Sequence, residues 1–280
     1  MRGSRAAHRQ TRAGFTLIEL LVALALGVVI LAVVSDLLIS SSRSASDLQG
    51  RNELLEESQI AQNYVVGQLR EAVYVFAPGT NINLGTDATT WRPGGSAWQV
   101  GSAAWPVVAV VRPPQRIDRP CATPSGLEPQ ACYQFLAYYP LPRDTWVDSV
   151  SGADDPGADA LNGNRWVLVE YRAIYAAAPP QSTLGGTTYI PPTGGAARLL
   201  LDYVQPPALA LPGTPPLFTL DNLRTAGAWT QTPGDIGVTV NLAASRRIAG
   251  RDVTVPGRGT DPAASVTTVV AVPRNVGKLP

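Results

Sequence analysis

Gly14-Phe15-Thr16-Leu17-Ile18-Glu19-Leu20-Leu21-Val22-Ala23-Leu24-Ala25-Leu26-Gly27 opens an apolar run that continues to Val34. Within it only Thr16, the small Gly27 and one carboxylate, Glu19, depart from apolar character. A helix rising ~1.5 Å per residue would carry Phe15 to Val34 across ~30 Å, the thickness of a bilayer core. Arg2, Arg5, Arg9 and Arg12 precede the run, and no further Arg or Lys appears until Arg43. The positive-inside bias therefore predicts a cytoplasmic N-terminus, with everything downstream across the membrane. A secretory signal peptide would place its small-residue cleavage site after the apolar region. Here the small residue, Gly14, comes before it, so the run is expected to stay with the mature protein.

A plain single-pass anchor would need neither Gly14 nor Glu19. A carboxylate in a membrane helix costs ~3 kcal/mol on insertion scales unless it finds a partner. The segment G-F-T-L-I-E-L-L-V-A-L-A-L-G resembles the processing and methylation motif of type IV prepilins and type II secretion pseudopilins. The resemblance implies that a prepilin peptidase cuts after Gly14 and that Phe15 becomes the methylated first residue. It also implies that Glu19, then the fifth residue, faces the N-terminal amine of a neighbouring subunit during assembly. Glu19 is on this reading an assembly residue, and no catalytic residue is assigned. Asp36 stands where many major pilins carry a helix-kinking proline, which suits a minor subunit better than a shaft-forming one.

Charge and composition narrow the function. Removing the leader's four Arg from 22 basic residues leaves 18 against 21 acidic ones, a net charge near −3. Such a chain has no global basic field for nucleic acid. The only histidine, His8, lies in the leader, so the mature protein has no Ser-His-Asp or Cys-His catalysis and no His-ligated zinc. Ser-X-X-Lys is also absent, since the only lysine is Lys278. An enzyme on a pilin-like anchor is thus the weakest of the function classes. Cys121 and Cys132 are expected to pair in an exported domain, stapling the Pro- and Gly-containing segment between them. A redox dithiol would use a two-residue gap.

Ser35 to Phe76 contains no proline, and Leu48, Leu55, Val66, Leu69, Val73 and Phe76 recur at helical spacing. A helix is predicted from Phe15 to Phe76, ~90 Å long, ended by Pro78-Gly79. Beyond it, strands are predicted at 107–112, 132–139, 166–175, 197–204, 236–244 and 265–272, separated by turns such as Arg92-Pro93-Gly94-Gly95. The last two are expected to pair across a loop holding Arg246, Arg247, Arg251 and Arg258. Val266, Thr268, Val270 and Val272 would share one face.

The predicted organisation is a leader (1–14), a long helix (15–76, transmembrane in 15–34) and a loop-rich β head (77–280). The fold class is α+β, with a long N-terminal helix packed on an antiparallel sheet as the pilin resemblance implies. Size and pattern are similar to PilW-like minor pilins and J-type minor pseudopilins, which act at filament tips. The implied partners are other pilins, the prepilin peptidase, an inner-membrane assembly platform and the lipid bilayer. Leader, stalk and sheet are common to pilus and secretion subunits, so both remain as readings, with a tip receptor of a DNA-uptake pilus as a third.

Three features of the head invite a site. Asp144, Asp148, Asp154, Asp155 and Asp159 crowd one loop; Asp154, Asp155 and Asp159 are the candidate ligands for calcium, although the spacing is not that of an EF-hand. Arg246, Arg247, Arg251 and Arg258 are candidate DNA contacts, although no aromatic lies among them to stack bases. For either group a solvated loop is the favoured reading. Trp91, Trp98 and Trp105 recur every seven residues, but Pro93, Gly94 and Gly95 forbid a helical stripe, leaving core packing or a sticky tip surface.

Overall fold

The computed structural model describes residues 16–95, 97–124, 126–224, 229–248, 250–257 and 260–279. It divides into two compact units, Met1–Leu48 and Gln49–Pro280. Helix α1 runs Leu17–Glu71. No proline interrupts it, so no backbone N–H is lost from its ladder.

In the first unit every described side chain through residue 46 is exposed. Up to Val34 the helix is apolar on all sides apart from Glu19, and it is long and apolar enough to cross a membrane. Helical hydrogen bonding satisfies its backbone internally, as lipid requires.

In the second unit the remainder of α1 backs a β domain. The strands of its two main sheets are β1 (Tyr74–Val75), β2 (Val108–Arg112), β3 (Gln134–Pro142), β4 (Trp166–Ile174) and β5 (Ala196–Val204). They continue with β6 (Phe218–Asn222), β7 (Ile236–Leu242), β8 (Ala244–Ile248), β9 (Arg251–Val255) and β10 (Thr267–Ala271). The larger sheet has seven strands in the order β1-β2-β3-β4-β5-β8-β9, and the smaller has three, β6-β7-β10. Their pairings are antiparallel. A long apolar N-terminal helix followed by antiparallel sheet makes the chain α+β and fits the expected pilin fold.

The central strands are buried on both faces, which explains why they are nearly continuously apolar. Val108, Val110, Leu136, Tyr138 and Leu168 face Ala61, Val65, Val66 and Leu69 of α1. Ala109, Val111, Phe135, Ala137, Tyr139 and Val167 point the other way, into a second core with Phe76 and Trp98. Leu84, Trp146 and Leu184, from segments between the main strands, join that second core.

The buried face of α1 is Gly50, Leu54, Ser58, Ala61, Gln62, Val65, Val66 and Leu69. Leu48 and Leu55 are 63% and 38% exposed, which corrects the predicted stripe at those two positions, while Val66, Leu69, Val73 and Phe76 are buried as expected. Small side chains set the true face: a Cβ at Gly50 would come within 2.3 Å of Ile248 Cδ1. Leu54 packs beside Tyr203, Ala244, Val253 and Val255. One polar side chain is threaded through the seam, where Gln62 Nε2 donates to Val240 O (3.0 Å) and Thr267 O (2.7 Å). Further along, Arg274 N–H donates to Arg70 O and Gly277 N–H to Val73 O.

Other boundaries differ from expectation for identifiable reasons. The helix stops at Glu71, because the β-branched and aromatic Val73 to Phe76 pair with β2 instead, Tyr74 opposite Val111. The predicted partners β7 and β10 do pair, Val238 opposite Ala271. The expected Arg-rich loop between them is a hairpin, β8 with β9, which extends the larger sheet. Val269 of β10 packs on the core and Val270 is exposed.

Candidate functional site

Gly14 and Phe15 lie outside the described residues. Thr16 and Glu19 close a capping box at the start of α1. The Thr16 N–H (3.3 Å) and hydroxyl (3.4 Å) donate to Glu19 Oε2, and the Glu19 N–H donates to Thr16 Oγ1 (3.3 Å). The carboxylate also sits in the first helical turn, where the helix dipole favours negative charge. The next charged residue along α1 is Asp36, so Glu19 is the one charge in the apolar stretch before it. It occupies the N-terminal end of that stretch.

The head brings together two groups that are distant in sequence. Asp159 Oδ2 lies 3.9 Å from Arg246 Nε. It accepts hydrogen bonds from Asn162 Nδ2 (2.8 Å) and Tyr203 Oη (3.1 Å), and Asp159 Oδ1 accepts the Leu161 N–H (3.2 Å). Desolvation alone would raise the Asp159 pKa; the bonds from Asn162, Tyr203 and Leu161, with the Arg143 charge, outweigh it and hold it low. The Tyr203 ring has the guanidinium carbons of Arg143 and Arg246 5.0 and 4.6 Å from its centre. Tyr203 adopts φ 60 within β5, beside a break in the register with β4. Buried Arg143 bonds both oxygens of Asp202 (2.9 and 3.1 Å) and reaches Gly157 O (2.8 Å). Glu57 of α1 has its pKa raised by burial, then by the Asp202 and Glu53 charges.

The other acidic and basic candidates have local roles. The Asp154 carbonyl accepts the Trp146 indole N–H (2.9 Å), and Asp155 Oδ1 accepts the Gly157 N–H (2.8 Å). Asp144 starts the short helix α2 (Arg143–Val147), and Asp148 caps its end. Among the described residues no group of three or more acidic, Cys or His side chains converges as a metal site. Arg247 is exposed, and its backbone N–H and carbonyl both bond the Asn162 side chain. Arg251 lies in β9, and Arg258 falls outside the described residues.

Cys121 and Cys132 form a disulfide. It closes a small hairpin, Ala122–Thr123 against Gly126–Leu127, with Arg116 and Arg119 flanking Glu128. Of the spaced tryptophans, Trp98 is buried against Tyr139, Trp105 is half-buried, and Trp91 is partly exposed. Sequence reasoning missed two arrangements, the Tyr203 network and the stacking of Trp105 on Trp166 (ring centres 5.1 Å apart). Neither has a local signature, because each joins segments dozens of residues apart.

An apolar helix that opens on Thr16-x-x-Glu19 and is long enough to cross a membrane supports anchoring of this chain in one. Residues 9–35 match the prokaryotic N-terminal methylation motif, which supports a subunit of the type IV pilin and pseudopilin superfamily. That superfamily is structural in character. No curated protein and no solved structure matches the chain.

Proposed function

We propose that this protein is a minor pilin-like subunit of a type IV pilus, placed in the tip or initiation complex. On this reading prepilin peptidase removes residues 1–14, Phe15 is methylated, and residues 15–34 hold the subunit in the inner membrane with its N-terminus cytoplasmic. An assembly platform then passes it to neighbouring pilins. The observation that carries the reading is the methylation motif joined to a helix whose apolar stretch keeps one charge, Glu19. In lipid, that carboxylate gains by meeting a neighbour's ammonium, and their attraction would fix subunit register. Support for a minor, terminal place comes from the head, where segments between the main strands join a second core beyond the sheet. Asp36, where a kinking proline would suit a shaft subunit, agrees with it.

Intact mass and N-terminal sequencing of protein from sheared surface filaments tests the proposal. A chain starting at N-methylated Phe15, at low abundance in the filaments, supports it. An uncut chain confined to the membrane fraction overturns it.

A further inference from the structure

Two clefts flank Trp166 in the head, one of about 440 Å³ and one of about 500 Å³. Both are also lined by Pro207 and Ala208, so they run along the same segment after β5. Trp105 stacks on Trp166 with its ring plane inclined by 25°. Behind the stack a ladder of rings leads into the core, Trp105 edge-on to Trp98 and Trp98 tilted on Tyr139. The aromatic platform is therefore held rigid before any ligand arrives, which lowers the entropy lost on binding.

Hydrogen-bonding capacity sets these two indoles apart from three others in the head. The indole N–H groups of Trp98, Trp146 and Trp229 each donate to a backbone carbonyl. Among the described residues those of Trp105 and Trp166 have no such partner, and neither nitrogen is sealed from solvent, so both are open to a ligand. Asn164 and Asp144 line the cleft beside Trp105, and no basic side chain lines either cleft.

We propose that the Trp105–Trp166 stack and its two clefts bind a neutral oligosaccharide. The apolar C–H face of a pyranose ring matches the face of an indole. Its hydroxyls supply both acceptors for the indole N–H groups and donors for Asp144 and Asn164. A phosphate or an acidic peptide would meet a carboxylate and no cation. A purely apolar segment would cover the indole donors without satisfying them, at the cost of their desolvation. The site stands apart from the N-terminal motif and holds for a pilus or a secretion subunit alike.

The test is titration of the full chain with cellohexaose, chitohexaose and maltohexaose, followed by calorimetry and tryptophan emission. A polyoxyethylene detergent is used, because sugar-headed detergents would compete. At least one glycan should bind saturably and shift the emission. Asn164→Ala and Asp144→Ala, both at exposed positions, should weaken binding by about tenfold each with unchanged melting, and Trp105→Ala should abolish it. Absence of binding by all three glycans, or binding indifferent to Asn164→Ala and Asp144→Ala, overturns the proposal. So does choline producing the same emission shift, with that shift lost in Asp144→Asn, because the site would then be one for cations.

Discussion

Asp159 Oδ2 and Arg246 Nε lie 3.9 Å apart, beside the ring of Tyr203 that hydrogen-bonds the first and stacks under the second. The acidic loop and the basic hairpin, which look like separate sites in sequence, are in part each other's counter-charge. The two are bound at their backbones as well, through Asn162.

Asp159→Asn is expected to destabilise the head by about 2 kcal/mol, the worth of hydrogen bonds to a charged acceptor. Because the folded pKa of Asp159 lies below its unfolded value, its contribution is present above the unfolded pKa. It is lost as pH falls through the folded one. Melting followed from neutral pH down to acid should therefore show the variant's deficit shrinking at the acid end. A deficit that stays constant with pH would refute the assignment.

Glu57 carries the opposite sign. Its folded pKa is raised, so the folded state holds the proton more tightly and stability falls as pH rises from the unfolded value through the folded one. Glu57→Gln should raise the melting temperature at neutral pH and have no effect below the unfolded carboxylate range. Calorimetry at the two pH values checks this, and a lower melting temperature at neutral pH would sink it.

Cys121→Ser should lower stability by about 3 kcal/mol on the chain-entropy account of so short a loop. The same loss is expected when the wild type is unfolded under reductant. Equal melting of oxidised and reduced protein would show that the loop is held by its ion pairs and hairpin alone.

Glu19→Ala is expected to leave membrane insertion intact and to prevent incorporation into filaments. Thr16→Ala removes the cap but keeps the carboxylate, and should still incorporate. Fractionation of cells and sheared filaments separates the two, and normal incorporation of Glu19→Ala would remove its assembly role.

The parts of the fold governed by local pattern were legible in sequence. The apolar run ending at Val34 announces a membrane helix, and the alternation of Val238, Val240 and Leu242 announces β7, buried at all three positions. Positions set by tertiary contact were not. Tyr74 and Val75 continue a helical spacing, yet pairing with β2 takes them into the sheet. Gly50 carries no hydrophobic signal, and it is buried because Ile248 needs the space. Likewise Tyr203 at φ 60 and the Trp105–Trp166 stack exist only once β4 and β5 are side by side.

The seam between α1 and the smaller sheet has a temporal meaning. Gln62 is tied to a carbonyl 205 positions later in the chain, and Arg70 and Val73 accept bonds from Arg274 and Gly277. Ribosomes deliver residues in order, and contacts this far apart form late. Until the final strand emerges, the helix and sheet present an open apolar flank. The head therefore has a vulnerable interval during its own synthesis, when that flank is still unpaired.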